Sequence, residues 1–174
     1  KINKIIPIFT TLAMLALIIT PVFANGDTYG SELIAGQNMI VGNLVISFNE
    51  GHTILYVRYM TTECSIVETH LWVGENLEDV PRTKKGNPKI GHFPFAGDHD
   101  SSTKVVTYEI DISEIPNTAN IYILAHAVVD CPCIGEETAW ADTIGTPFSD
   151  EPTIFGSRWG FFIEIPKFQN PPLL

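Results

Sequence analysis

The feature that most narrows the possible folds is the alternation along 104–112. Val106, Tyr108, Ile110 and Ile112 fall on one side, and Val105, Thr107, Glu109 and Asp111 on the other. A repeat of two belongs to a strand with one buried face, because successive side chains of an extended backbone point to opposite sides of a sheet. The pattern recurs upstream. Leu44, Ile46 and Phe48 alternate with polar or small partners, the turn-forming Asn49-Glu50-Gly51-His52 follows, and Ile54, Leu55, Tyr56, Val57 and Tyr59 resume the apolar run up to Thr61. This predicts a β-hairpin with a four-residue loop.

A third strand is expected over 65–73, with Val67, Thr69, Leu71 and Val73 on the core face and Glu68, His70 and Trp72 on the other. Residues 120–129 are apolar on both faces, as in a strand central to its sheet. A last strand covers 159–165 and stops at Pro166. No amphipathic helical repeat follows residue 25. Some six short strands then predict an all-β chain, a single β-sandwich of Ig-like or jelly-roll-like form, with a closed barrel as the alternative. Between the third and fourth strands, 74–102 is rich in Gly, Pro, Asn, Lys and Asp, and reads as one long irregular loop whose Phe93 and Phe95 tuck back onto the domain. A short helix around 77–80 is compatible with it.

The first 24 residues follow a different rule. Lys1 and Lys4 precede an apolar run over 5–19, and then Thr20-Pro21-Val22-Phe23-Ala24 supplies a helix breaker and a small residue, the pattern of a secretory signal peptide cut after Ala24. The run is about fifteen residues, short of the roughly twenty needed to span a bilayer. The expected organisation is a signal peptide over 1–24, a β-sandwich domain over 25–166 and a Pro-rich tail over 167–174, with no membrane span once the signal is cleaved. Loss of Lys1 and Lys4, with no acidic residue in that segment, takes the formal charge from −10 to −12. Such a balance argues against nucleic acid as a partner and suits a secreted or cell-surface protein.

Three cysteines in an oxidising compartment make an odd count. Cys131 and Cys133 are separated by a single proline, so a bridge between them would be strained, and Cys64 is expected to pair with one or the other. The third sulfur would be a thiol or a link to another subunit. Chemistry-bearing residues crowd into 121–140, which holds His126, Cys131, Cys133, Glu136 and Glu137. If the strands carrying His70 and His126 are neighbours, the two imidazoles face each other and Glu137 could close a three-ligand site suited to zinc. Asp98-His99-Asp100, helped by Asp142, Asp150 and Glu151, resembles half of a calcium loop. Neither pattern has fixed ligand spacing, so no cofactor is expected, with zinc or calcium the candidates should one bind. No nucleophile motif such as Gly-x-Ser-x-Gly is present, so no catalytic residue is assigned and the chain reads as a non-enzyme. Trp72, Trp140 and Trp159 could form a sugar-binding face, or pack in the core as bulky aromatics usually do.

Four blocks taken together, Glu-Thr-His-Leu-Trp-Val-Gly (68–74), Pro-Arg-Thr-Lys-Lys-Gly-Asn-Pro-Lys-Ile-Gly-His-Phe (81–93), Ala-His-Ala-Val-Val (125–129) and Glu-Thr-Ala-Trp-Ala (137–141), resemble an uncharacterised family of secreted and surface β-sandwich proteins of archaea and bacteria. The resemblance implies an extracellular β domain and supplies no catalytic residue. Where that pattern has Asn-Trp before the last strand, this chain has Ser157-Arg158-Trp159. The resulting expectation is an extracellular structural subunit that self-assembles as a homo-oligomer or polymer into a cell-surface layer, sheath or filament, in which disulfides could cross-link the subunits. The alternative is a secreted module binding a carbohydrate or a metal ion.

Overall fold

The computed structural model describes residues 28–132, 134–142, 144–151 and 154–168. The proposed signal peptide, Cys133 and the tail beyond Phe168 lie outside the described residues. Ten strands make up the fold: β1 (Thr28–Ala35), β2 (Met39–Phe48), β3 (Ile54–Thr61), β4 (Ser65–Gly74), β5 (Phe95–Asp98), β6 (Val105–Asp111), β7 (Asn120–Cys131), β8 (Gly135–Ala141), β9 (Gly145–Pro147) and β10 (Phe161–Pro166). Eight of them run in the antiparallel order β5-β4-β7-β8-β1-β2-β3-β6, rolled until the path nearly closes like a barrel. The two halves face each other across one core, so the chain is the expected all-β, sandwich-like domain.

The expected hairpin is present, with β2 and β3 paired from Gly42↔Thr61 to Phe48↔Leu55. Its turn is held by Asn49, whose Oδ1 accepts from the backbone N–H groups of Thr53 and Ile54 at 2.8 and 2.9 Å. The period of two in β6 also holds. Val106 and Tyr108 pack on the core, and Ile110 and Ile112 are buried. β7 is the hub, since it pairs with β4 along one edge and with β8 and then β10 along the other. Ile121, Ile123, Ala125, Ala127 and Val129 enter the inner core, while Leu124 and His126 face outward and are buried as well. That second burial explains why the strand reads as apolar on both faces.

Two sequence expectations need correction. Val67 does not share the core face of Thr69 and Leu71, because the β4–β7 register shifts between Ile66 and Glu68. The extra residue of this bulge is left half-buried and Ile66 takes the core position, fully buried. Residues 74–102 are not wholly irregular either. They contain 3-10 turns at Leu77–Asp79 and Ile90–His92 and the edge strand β5, paired with β4 from Glu68↔Asp98 to Leu71↔Phe95. Four strands, β1, β5, β8 and β9, escaped the sequence reading. In β8, Gly, Glu and Thr dilute the apolar signal, although Ala139, Trp140 and Ala141 are buried.

The stretch around Leu77, Val80 and Phe93 and the segment around β9 and β10 together cover the outer face of β4, β7, β8 and β10. Trp72, Leu77, Val80, Phe93, Leu124, Trp140, Phe148, Phe155, Phe161 and Phe162 form a second apolar cluster there. Its rings follow one another. Trp140 meets Phe148 edge-on at 5.2 Å, Phe148 stacks on Phe155 at 4.5 Å, and Phe155 on Phe162 at 5.8 Å. Phe93 joins this cap while Phe95 packs on the inner core, so both phenylalanines of the long connection dock as expected.

The seam between the sheet's two ends is closed by the segment linking β5 to β6. Ile66 N–H donates to the Thr103 carbonyl at 2.8 Å, and Thr61 N–H to that of Lys104 at 2.9 Å. The proposed loose tail begins as a docked element. Lys167 is buried, its Nζ donating to the carbonyls of Ile112, at 2.7 Å, and Ile115, and the Phe168 ring lies 4.7 Å from that of His52.

Candidate functional site

β4 and β7 are neighbours, and their register sets His70 directly opposite His126. Both point away from the inner core, at the rim of the aromatic cap. The ring centroids are 5.6 Å apart and tilted by 52°. On its far side His126 meets Trp140 of β8, its partner in the next ladder, at 4.9 Å and nearly edge-on. His126 is almost fully buried and His70 half-buried. Burial, and then the neighbouring His70, lowers the pKa of His126 to about 3, so its ring is neutral at physiological pH. The Nδ1 atoms of both rings are shielded from solvent and lack a hydrogen-bond partner in the structure.

Glu137 does not join the pair. It lies opposite Val129, whereas His126 lies opposite Trp140, three positions further along β8. An odd offset in a strand reverses the face. Glu137 therefore sits on the inner side of the sheet, at its end, and its carboxylate is the nearest group to the position a Cβ on Gly36 would take, 3.5 Å away. The carboxylates that do share the outward face of His70 are Glu68, two residues before it, and Asp98, paired with Glu68 across the β4–β5 ladder. Among the described residues no three His, Cys, Asp or Glu side chains are gathered into a ready ligand set. That applies to the expected calcium loop too: Asp98 ends β5, while Asp142, Asp150 and Glu151 belong to the connections around β9.

His99, the middle residue of the expected calcium loop, turns inward instead. Its Nε2 is 2.7 Å from the Thr69 hydroxyl, which also lies 2.6 Å from the Tyr108 hydroxyl. Thr69 is fully buried, so the three groups form a polar stitch between β4 and β6. Tyr59 supports β4 from within, its hydroxyl donating to the His70 carbonyl at 3.4 Å. Burial, then the adjacent Tyr108, raises the pKa of that phenol well above the ordinary value. Sequence reading missed this cluster because Thr69, His99 and Tyr108 belong to segments that only the closing of the sheet brings together.

Cys64 and Cys131 form a disulfide. They stand one step beyond the Ser65↔Asp130 pair at the end of the β4–β7 ladder, which decides between the two partners open to Cys64. The end of the domain holding the bridge carries a groove of about 240 Å³ lined by Met39, Ile40, Val41, Thr62, Glu63 and Pro132 along with the two cysteines. Ile40 of this lining is 59% exposed, and Ile134, two residues beyond Pro132, is 41% exposed. Trp72 and Trp140 are buried in the cap and do not offer an open aromatic face; Trp159 is half-buried against Phe161.

The fold and its sites define a disulfide-bonded all-β domain. The described residues contain no helix long and apolar enough to cross a membrane. No protein-family model, curated protein or solved structure matches the chain, and the resemblance drawn above rests on its four sequence blocks alone.

Proposed function

We propose that the protein is an extracellular structural subunit that associates with further copies of itself through the end of the domain bearing the disulfide. The observation that carries this reading is an apolar groove at that end with exposed Ile40 in its lining and exposed Ile134 two residues beyond its Pro132. Large side chains of this kind, gathered in one place, favour burial by a partner. A second copy is the occupant because the covalent arithmetic points the same way. The Cys64–Cys131 bridge leaves Cys133 as the remaining sulfur, between Pro132 of the groove and exposed Ile134 in the sequence. An oxidising compartment favours pairing it with another subunit.

Light scattering and non-reducing electrophoresis of the protein, with and without Cys133→Ser, test this reading. Wild-type protein is expected to give disulfide-linked species that reductant dissolves. The C133S chain should retain concentration-dependent association, which Ile40→Lys with Ile134→Lys then abolishes. A wild-type chain that stays a monodisperse monomer at high concentration refutes the proposal. The other expected role, a ligand-binding module, has one observation in its favour, the apposed His70 and His126.

A further inference from the structure

We propose that His70 and His126 form a two-histidine chelate for a borderline divalent transition metal, with zinc and copper as the fitting ions, open to solvent and external ligands in its remaining positions. The site lies on the outer face of the β4–β7 ladder, away from the disulfide end, and is independent of the assembly reading.

Its first support is geometric. Facing residues on adjacent strands are held by the ladder itself, so the two imidazoles are apposed without any loop having to order. Two imidazoles sharing one tetrahedral ion, at about 2.0–2.1 Å from each ligating nitrogen, have ring centroids roughly 5 Å apart. The rings here stand at 5.6 Å, so a small rotation of His70, the more exposed of the two, brings them to that separation.

The second support is the lack of partners. A buried polar nitrogen without a hydrogen bond is costly, and each of the two facing rings carries one, its Nδ1. A neutral imidazole keeps one unprotonated nitrogen, the form in which histidine binds metals.

The surroundings decide the class of ion and the direction of approach. Trp140 shuts the His126 side. On the other side His70 faces Ala96, a small exposed residue of the edge strand β5, which leaves a way in from solvent. Glu68 and Asp98 occupy the next row of the same face and make the approach attractive to a cation. Nitrogen ligands suit zinc, copper and nickel, whereas calcium and magnesium need oxygen donors in number. With two protein ligands only, the site differs from a closed structural centre and would exchange its metal and accept a donor from a partner or small molecule.

The test uses untagged protein stripped with chelator and titrated separately with Zn(II) and Cu(II), followed by calorimetry and tryptophan fluorescence. Wild-type protein is expected to take up one equivalent, and Cu(II) to quench Trp140, whose indole is 4.9 Å from the His126 ring. His70→Ala, at a half-buried position, should weaken binding by at least about tenfold, equal to about 1.4 kcal/mol, with its metal-free thermal melt unchanged. His92→Ala and Glu137→Gln should bind as wild type, and Trp140→Phe should bind while losing most of the quenching. Absence of saturable binding in wild type, survival of full affinity in H70A, or loss of it in H92A overturns the proposal.

Discussion

Replacing Cys64 and Cys131 together by alanine, in a Cys133→Ser background that prevents disulfide exchange, removes the covalent tie between β4 and β7. The bridged residues are separated by 67 positions. In the chain-entropy treatment, closing a loop of that length in the unfolded state is worth about 4 kcal/mol. Both cysteines are 4% exposed and belong to the inner core, so the truncated side chains also leave a small void, which adds about 1 kcal/mol. The expected loss is therefore about 4–5 kcal/mol, a large share of what a domain of this size has. Urea unfolding of the C133S and triple-variant proteins measures it. The entropic account also requires the denaturant slope to rise, because an uncrosslinked chain exposes more surface on unfolding. Adding reductant to the C133S protein should reproduce the loss without the cavity contribution. A decrease below about 1 kcal/mol, with the slope unchanged, would mean that the bridge does not constrain the unfolded chain, and would refute the reasoning.

Other perturbations follow from the same packing. His126 has a depressed pKa of about 3 when folded against an ordinary 6.5; its neutral form therefore stabilises the fold fully above pH ~6.5, and the contribution is lost as pH falls toward 3, on the order of 5 kcal/mol in all. Urea midpoints of metal-free protein between pH 7 and pH 4 should decline more steeply for wild type than for His126→Phe, and parallel declines would remove this residue as the cause. A Cβ on Gly42 would stand 1.9 Å from the Met60 carbonyl oxygen of the paired strand, so Gly42→Ala should cost at least about 2 kcal/mol or prevent folding. Gly91→Ala, whose Cβ meets none of the described atoms within 4 Å, is the matched control in the same thermal melt. Lys167→Met would leave the carbonyls of Ile112 and Ile115 without the buried ammonium that now bonds both, a loss of about 2–4 kcal/mol measurable by urea unfolding; a neutral result would show that water replaces the ammonium.

The strands with one wet face were legible in the sequence, as β2, β3 and β6 show, because an alternating pattern survives in any register. The inner or outer side of His70 was legible for the same reason. The bulge at Val67 was not, since an inserted residue changes parity without leaving a mark in composition. The short strands β5 and β8 carry too few apolar residues to stand out, and owe their structure to the neighbours they pair with. Glu137 was assigned to the histidines on nearness in the sequence, and the pairing of β7 with β8 put it on the opposite face.

The sequence by itself determined the local alphabet: extended backbone, the turn at Asn49, the restriction of Cys64 to one of two partners, and the outward face of His70. These follow from each residue's own stereochemistry and that of its immediate neighbours. The tertiary structure alone decided which strands meet, and with that the His70–His126 apposition, the Cys64–Cys131 bridge, the Thr69–His99–Tyr108 stitch and the aromatic cap over the outer sheet. Strand partnership is a choice among many registers, settled by the joint burial of two apolar faces distant in the chain, and no local pattern encodes that sum.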